Sequence, residues 1–251
     1  MRICVGLQGE KPEIDFQARL DNDRLIRVEY SSIPCTTRAL NHCIRTSDAE
    51  IILILDDDAV PCFGWAESHI AAYQADPWLS YTCGREIRSA RGRSALSEGT
   101  RLLTESFFGL FLKKDKKING RIVGWMNGLG LMFGNFDQPG TCTINTPRGC
   151  NMTIRKEPFI ALNGFNENFK GNAWGFETDF GLRAARIHKL GRYVGDAVVI
   201  HYEALGGGSR EQGRSQWFRD YLHNHKVLIS NLGSQAWIGS LPRLIKNRFF
   251  K

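Results

Sequence analysis

The feature that most constrains this chain is a short apolar run followed at once by three acidic residues. Residues 50–55 read EIILIL, and Asp56, Asp57 and Asp58 come directly after them. A continuous run of isoleucine and leucine of this length is typical of a strand that is buried on both faces of a sheet. The strand therefore places three carboxylates at its carboxyl end, where like charges repel and desolvation is costly.

Neighbouring carboxylates of this kind become tolerable when a divalent cation lies among them. Mg²⁺ and Mn²⁺ prefer oxygen ligands, and their charge cancels the repulsion. In open α/β sheets, ligands bind beyond the carboxyl ends of the strands, which is where Asp56, Asp57 and Asp58 are expected. A solvated acidic turn that caps the next helix is the simpler alternative.

The order of elements around this strand predicts an α/β fold. RICVGL (2–7) and LIRVEY (25–30) have the pattern of short strands, and CTTRALNHCIRT has the pattern of a helix that leads into EIILIL. Strand, helix and strand in this order are typical of an α/β unit with a parallel sheet. The fold class predicted from this order is therefore α/β.

The rest of the chain continues this alternation after a glycine- and asparagine-rich middle. Residues 118–151 are predicted to be a long, partly mobile loop region with short strands. Leu182, Ala185, Ile187 and Leu190 are expected to form the buried side of an amphipathic helix that stops at Gly191. The predicted helices are GWAESHIAAYQAD, SALSEGTRLLTESFFGLFLKK, EPFIAL and ETDFGLRAARIHKLG, and the predicted strands are NMTIRK and RYVGDAVVIHY.

Length and charge set limits on organisation and partners. A chain of 251 residues suits one domain, predicted over 1–230, with a basic amphipathic tail over 231–251. The net charge of +7 favours anionic partners such as a nucleotide or a membrane surface. Because the basic residues are dispersed rather than striped with aromatic residues, nucleic acid is not an expected partner.

Cysteine usage and hydropathy indicate the compartment. The seven cysteines form no C-x-x-C pair and are odd in number, which favours a reducing cytosol. The sequence contains neither a run of about 20 apolar residues nor a signal-type start, so an exported or integral membrane protein is not expected. The tail AWIGSLPRLIKNRFFK has the composition of a segment that lies on an anionic membrane face, which predicts a cytoplasmic and possible peripheral membrane location; a last helix packed on the domain is the alternative.

A second group of polar residues lies at the ends of later elements. Glu177 and Asp179 precede a predicted helix, and His201 ends the apolar strand VVIH. Glu177 is flanked by Trp174 and Phe176, and such an apolar setting raises a carboxyl pKa and suits a general base. Asp179 is interpreted as a helix cap. His201 is a candidate third metal ligand beside the carboxylates, with a buried histidine of no special role as the alternative.

The order of these motifs resembles the family 2 glycosyltransferases, nucleotide-sugar enzymes of the GT-A fold, over roughly residues 1–225. The resemblance implies a Rossmann-like α/β fold with a mixed sheet and flanking helices. TTRALN places Asn41 fifteen positions before Asp56, although Leu40 replaces the arginine of the family's helix motif and Arg38 lies two residues earlier. ILDDD resembles the family's DXD motif. The segments RGCNMTIRKEPFIALNGFNENF, GFETDFGLR and VVIHY are similar to its later motifs, in the family's order.

The resemblance implies an inverting, metal-dependent transfer of a sugar from a nucleotide-diphosphate donor to a hydroxyl of a glycan or lipid-linked saccharide. It implies that Asp56 contacts the ribose and that Asp58, with Asp56 and His201, binds Mn²⁺ or Mg²⁺ at the diphosphate. Glu177 would be the base that deprotonates the acceptor. Arg38 and Asn41 are further expected donor contacts. Arg210, in the loop GGGSR, is expected to close over the phosphates, with a plain surface linker as the alternative.

One departure from the family pattern keeps a non-enzymatic alternative open. The family usually has a further strand and helix before the strand that RICVGL resembles, and that strand carries much of the nucleobase pocket. A GT-A domain that binds sugar nucleotides without turnover is therefore one alternative. A separate alternative comes from ILILDDDAV, which also resembles the phosphatases of the haloacid dehalogenase superfamily, with Asp56 as nucleophile and Asp58 as acid. The later lysine and acidic pair of that class are not evident.

Overall fold

The computed structural model describes residues 3–8, 26–31, 35–88, 102–103, 105–107, 113–202 and 213–230. The loop with Arg210 and the tail 231–251 lie outside the described residues. The helices are α1 (Thr36–Thr46), α2 (Trp65–Ala75), α3 (Lys156–Ala161), α4 (Phe176–Arg186) and α5 (Arg214–Ser230), with a 3₁₀ turn at Lys114–Lys116. The longer strands are β1 (Ile3–Gln8), β2 (Ile26–Ser31), β3 (Ile51–Leu55), β4 (Ala59–Pro61), β5 (Tyr81–Arg88), β10 (Thr141–Ile144), β11 (Asn151–Arg155) and β12 (Gly191–His201). Four two-residue strands, β6 (Lys117–Ile118), β7 (Arg121–Ile122), β8 (Trp125–Met126) and β9 (Met132–Phe133), occupy the glycine-rich middle.

The central sheet is mixed, as the resemblance to the GT-A fold implied. Its strand order is β10-β12-β5-β11-β3, and β4 also pairs with β12. Strands β5 and β12 are parallel, whereas β11 is antiparallel to both β3 and β5. The expectation that β3 lies inside a parallel sheet is wrong for the described strands, because β3 ends the order and pairs antiparallel with β11. Strands β1 and β2 form a separate parallel pair among the described residues.

Apolar side chains cover the two faces of the sheet with different partners. On one face, Phe159, Phe165 and Phe180 from α3, the following turn and α4 pack edge to face or tilted, with ring centroids 5.1–5.6 Å apart. On the other face, Trp65 of α2 packs against Val199 of β12 and its neighbours. This double coverage buries the middle of the sheet and leaves the strand ends at its edges for polar chemistry.

Helix α4 ends earlier than the sequence pattern predicted. The predicted stop at Gly191 is wrong: the helix ends at Arg186, and His188 adopts the left-handed conformation with φ 59°. Gly191 instead begins β12, where a Cβ atom would lie 1.9 Å from the Tyr81 ring. The predicted buried side is also partly wrong, since Ile187 is 50% exposed.

Strand β12 contains a local irregularity before its carboxyl end, where His201 lies. The register against β5 shifts between Val194 and Val198, which is typical of a β-bulge. The Asn151 amide donates to Ala197 O at 2.9 Å and to Arg85 O at 3.0 Å, so it ties the bulge to β5. Gly84 leaves room for this approach, because a Cβ there would lie 2.2 Å from Ala197 O.

Two further predictions concern the helix before the glycine-rich middle and the absence of a membrane-spanning helix. Of the predicted helix at 94–114, residues 102–103 and 105–107 are helical. Its predicted end is wrong, because Lys113 is extended and Lys114 begins the 3₁₀ turn. Within the described residues, every helix is too short or too polar to cross a bilayer.

Candidate active site

The three aspartates follow β3, and the chain turns there into β4. The turn is closed by the Ala59 N–H, which donates to Asp56 O at 3.2 Å. Strand β4 then pairs antiparallel with the end of β12, so that Ala59 lies opposite His201. The Tyr202 N–H donates to Asp58 O at 2.9 Å. This backbone pairing brings together Asp58 and His201, which lie 143 positions apart in the sequence.

Asp56, Asp58 and His201 form a compact group of possible ligands. One oxygen of each carboxylate and one imidazole nitrogen all lie within 4.8 Å of one another. His201 Nε2 lies 2.9 Å from Asp58 Oδ1, and the histidine is only 8% exposed. Two carboxylates with one imidazole suit Mn²⁺ and also Mg²⁺, which favours oxygen ligands. The residues predicted as metal ligands are therefore close enough to bind one cation.

The charges of this group shift two pKa values. Reduced hydration at the strand end raises the pKa of Asp56, and the negative charge of Asp58 raises it further. Burial alone would lower the pKa of His201, but the hydrogen bond and charge of Glu86, together with Asp58 and Asp56, outweigh burial and raise it. Positive charge is thus favoured at this position, as expected of a cation site.

Two residues that the sequence did not single out complete this region. Glu86 of β5 accepts from His201 Nδ1 at 2.6 Å, and Arg148 Nε lies 2.6 Å from the other Glu86 oxygen. We call Asp56, Asp58, Glu86 and His201 the acidic cluster. The signal that could have marked Glu86 is a charged residue within the buried strand YTCGREIR, but its partner depends on the β5–β12 register.

Glu177 lies in the first turn of α4 and is partly buried. Burial raises the pKa of its carboxyl to about 7, while backbone hydrogen bonds from Glu177 and Gly149 and the charge of Arg148 oppose the shift. The charge of Asp56 adds to it, which links Glu177 electrostatically to the acidic cluster. A carboxyl with a pKa near neutrality has the acidity that suits a general base.

Asn41 and Arg38, which were predicted to contact the donor, both contact the NGFNENF turn. The Asn41 amide donates to Phe165 O at 2.8 Å and to Glu167 at 2.9 Å, and its oxygen accepts from the Phe165 N–H at 2.8 Å. Arg38 Nε lies 3.5 Å from Glu167. These contacts give Asn41 a structural role on the NGFNENF turn, and nucleotide contacts of Asn41 and Arg38 stay predictions.

The prediction that Asp179 precedes and caps the helix is wrong: α4 begins at Phe176 with Gly175 as its N-cap, so Glu177 and Asp179 both lie inside the helix. Asp179 is fully buried and accepts from Arg183 Nε at 2.8 Å, one helical turn later. Arg183 also donates to the carbonyls of Leu162 and Gly164 at 2.7 and 2.8 Å. This ion pair therefore fixes α4 to the turn after α3.

A second buried polar group lies between α2 and the sheet, and we call it the neutral network. Its centre is His69, whose Nε2 lies 3.0 Å from Asn151 Oδ1 and whose Nδ1 lies 2.6 Å from Thr82 Oγ1. Burial lowers the pKa of His69 to about 4, so the ring is neutral. The members of the network are Trp65, His69, Tyr73, Thr82, Asn151 and Thr153.

Solved structures share this arrangement of strands and helices. The structure of GalNAc-T7 with UDP, GalNAc and Mn²⁺ matches 98% of this chain with a TM-score of 0.55 at 12% identity. The fold is GT-A. A mycobacterial protein matches 92% of the chain with a TM-score of 0.54 at 14% identity. The GT-A fold expected from the order of sequence motifs is thereby confirmed.

The similarity is one of fold and covers part of the matched proteins. This chain spans 49% of the GalNAc-T7 chain and 64% of the mycobacterial chain. Glucosyl-3-phosphoglycerate synthase from Mycobacterium tuberculosis, in a complex with Mn²⁺, UDP-glucose and phosphoglyceric acid, matches more distantly, with a TM-score of 0.46 at 13% identity over 92% of this chain and 68% of that one. No family model and no curated protein matches the sequence.

Proposed function

We propose that this chain is a metal-dependent glycosyltransferase domain that moves a sugar from a nucleotide-diphosphate donor to an acceptor hydroxyl. The observation that carries the proposal is the convergence of Asp56, Asp58 and His201 within 4.8 Å at one end of a GT-A sheet. The similarity to a structure that holds UDP and Mn²⁺ supports the same reading. We further propose that it is of the family 2 type, as its motif order suggests.

The ligand set fits a hard divalent cation. Asp58 and Asp56 supply oxygens, and His201 would supply Nε2 while Nδ1 stays bound to Glu86. Mn²⁺ or Mg²⁺ bound here would neutralise negative charge on the departing nucleoside diphosphate. Asp56 would also contact the nucleotide ribose, and Arg38, Asn41 and Arg210 are proposed as further donor contacts.

Glu177 is the proposed general base. Its carboxyl has a pKa of about 7, so the ionised form is available at neutral pH to accept the proton of the acceptor hydroxyl. The positive charge of Arg148 attracts both Glu86 and Glu177, so it limits the repulsion between the base and the acidic cluster. A single displacement with this base inverts the anomeric configuration, so an α-linked donor would give a β-linked product.

The acceptor is proposed to be a glycan or a lipid-linked saccharide. This proposal depends on the resemblance of the motifs and on the basic amphipathic composition of 231–251. Peripheral contact of that segment with an anionic membrane would bring the domain to a lipid-linked acceptor.

The test is donor turnover across a panel of UDP-, GDP- and other sugar nucleotides, with and without Mn²⁺. We expect metal-dependent release of the nucleotide for one donor and loss of metal-dependent donor binding in Asp58→Ala. NMR of the product would show the anomeric configuration. Absence of metal dependence, or full donor binding by the Asp58 variant, would contradict the assignment.

A domain that binds the donor without turnover is the second candidate. The observation in its favour is that β1 and β2 form a pair separate from the six-stranded sheet within the described residues. Calorimetry that shows Mn²⁺-dependent donor binding, combined with no hydrolysis or transfer for any acceptor, would favour this candidate. The GT-A fold gives no support to the phosphatase alternative.

A further inference from the structure

We propose that Glu86 is a positioning residue that holds His201 so that its Nε2 faces Asp56 and Asp58. This inference rests on the proposed metal site. Glu86 would not touch the cation, the donor or the acceptor, and it would act through the histidine ring alone.

The contacts of Glu86 make it a rigid acceptor. The residue is 5% exposed, and its Oε1 lies 2.6 Å from His201 Nδ1. Arg88 Nε donates to the same oxygen at 2.9 Å, and Arg148 Nε lies 2.6 Å from the other. A buried carboxylate that is held by two guanidinium groups has little freedom to rotate, so its position defines the direction of the imidazole.

His201 needs such a partner because its backbone alone does not fix the ring. The β5–β12 and β4–β12 registers place its Cα beside Arg88 and Ala59. An imidazole there can still rotate and can carry its proton on either nitrogen. Carboxylates lie at both nitrogens, but Glu86 is closer to Nδ1, at 2.6 Å, than Asp58 is to Nε2, at 2.9 Å. With a cation on Asp58, the proton would stay on Nδ1 against Glu86, and Nε2 would face the metal.

The competing reading is that Glu86 is itself a metal ligand. Glu86, Cys150 and His201 also place one possible ligand atom each within 4.8 Å. Arg148, however, bonds to Glu86 and also to Cys150, so a positive charge already occupies this side. A second cation beside that guanidinium would be repelled, which favours a supporting role for Glu86.

The first measurement is Mn²⁺ affinity by calorimetry on the full chain without a donor. We expect Glu86→Gln to weaken Mn²⁺ binding by about 10- to 100-fold, the usual effect of losing an outer partner of a metal-binding histidine. Glu86→Asp keeps the charge and should bind more tightly than Glu86→Gln. The matched control is Glu105→Gln, which removes another buried carboxylate paired with an arginine, Arg121, and should change affinity less than twofold.

A double-mutant cycle tests whether Glu86 acts through His201. In a His201→Ala background, Glu86→Gln should cause no further loss of Mn²⁺ affinity, because the ring that it positions is absent. If the losses of Mn²⁺ affinity from Glu86→Gln and His201→Ala multiply in the double variant, the inference is overturned. Wild-type Mn²⁺ affinity of Glu86→Gln would overturn it as well, and in both cases the proposed function would stand. Unchanged affinity in His201→Ala alone would overturn the proposed metal site and this inference together.

Thermal unfolding without metal identifies variants that fail to fold. If Glu86→Gln is unfolded, Glu86→Asp serves in the same cycle. A folded Glu86→Asp with wild-type affinity and wild-type dependence on His201 would then count against the inference, since a shortened side chain cannot keep the 2.6 Å contact without moving the ring.

Discussion

His201 and His69 are both buried against the same sheet, yet their nitrogens meet opposite surroundings. His201 lies between the carboxylates of Asp58 and Glu86 at 2.9 and 2.6 Å. His69 lies between the Asn151 amide oxygen and the Thr82 hydroxyl at 3.0 and 2.6 Å. The acidic cluster raises the pKa of its histidine, and the neutral network lowers that of the other to about 4.

The difference separates a buried region that stabilises the fold from a region that is proposed to bind the metal and the donor. The neutral network satisfies buried polar groups with one another and carries no net charge, so it costs little and fixes α2 on β5 and β11. The acidic cluster gathers carboxylates at the end of the sheet, where a bound cation would relieve the repulsion that Arg148 and His201 offset only in part. Substitutions in the first region should therefore alter stability, and those in the second should alter binding and turnover.

The largest expected effect comes from removing the proposed base beside the acidic cluster. Glu177→Gln should lower the transfer rate by about 10²- to 10⁴-fold, the usual contribution of a general base. Donor and Mn²⁺ binding should stay within about threefold, since the amide keeps the shape of the side chain. Steady-state kinetics and calorimetry measure the two quantities, and equal turnover by the variant would refute the base assignment.

The second prediction compares alanine substitutions of the two histidines. His69→Ala leaves a cavity and removes partners from Thr82 and Asn151, so we expect a loss of about 2–4 kcal/mol in the free energy of unfolding. Turnover per folded molecule should remain near the wild-type value. His201→Ala should lose metal-dependent turnover with a smaller change in stability.

Urea unfolding and Mn²⁺-dependent turnover of both variants check this prediction. The comparison between the two regions fails if His69→Ala abolishes Mn²⁺ binding in a folded protein. It fails equally if His201→Ala proves the more destabilising of the two.

The sequence predicted the site residues that end regular elements, and it did so through local pattern. Asp56, Asp58 and His201 each follow or end an apolar strand, and Glu177 begins a helix. The structure brings the first three together, whereas the catalytic role of Glu177 stays a prediction. The α/β class could also be predicted from the alternation of strands and helices, whereas the antiparallel pairing of β3 with β11 could not, because it depends on contacts between distant residues.

The residues that sequence reasoning missed depend on long-range pairing. Glu86 meets His201 across 115 positions, and only the β5–β12 register places them together. The Asn41 amide meets Phe165 across 124 positions, so a motif spacing could not show its structural role. The end of α4 was misplaced because His188, rather than a glycine, adopts the left-handed conformation.

Acidification should affect the neutral network before it unfolds the whole chain. The pKa of His69 is about 4 in the folded state against 6.5 as its ordinary value. A lowered histidine pKa stabilises the fold above pH 6.5, and this contribution is lost as the pH falls to about 4. It amounts to at most about 3 kcal/mol.

The check is the difference in unfolding free energy between wild type and His69→Ala as a function of pH. That difference should shrink steadily between pH 6.5 and 4. A difference that stays constant over this interval would show that His69 is not held neutral by the network.

The smallest expected effect is the pH dependence of turnover near neutrality. Glu177 has a pKa of about 7, raised from 4.5, so its basic form is depleted below pH 7. The rate should fall about tenfold per pH unit below this value and level off above it, since one proton is taken up.

For stability the sign is opposite: a raised carboxyl pKa of Glu177 favours the fold below pH 4.5, and that contribution is lost as the pH rises through 7. Wild type should therefore become more active and less stable, relative to Glu177→Gln, over the same interval. Parallel pH series of turnover and urea unfolding measure both, and an acid limb of the rate centred near pH 4.5 would assign the proton to an ordinary solvated carboxylate instead.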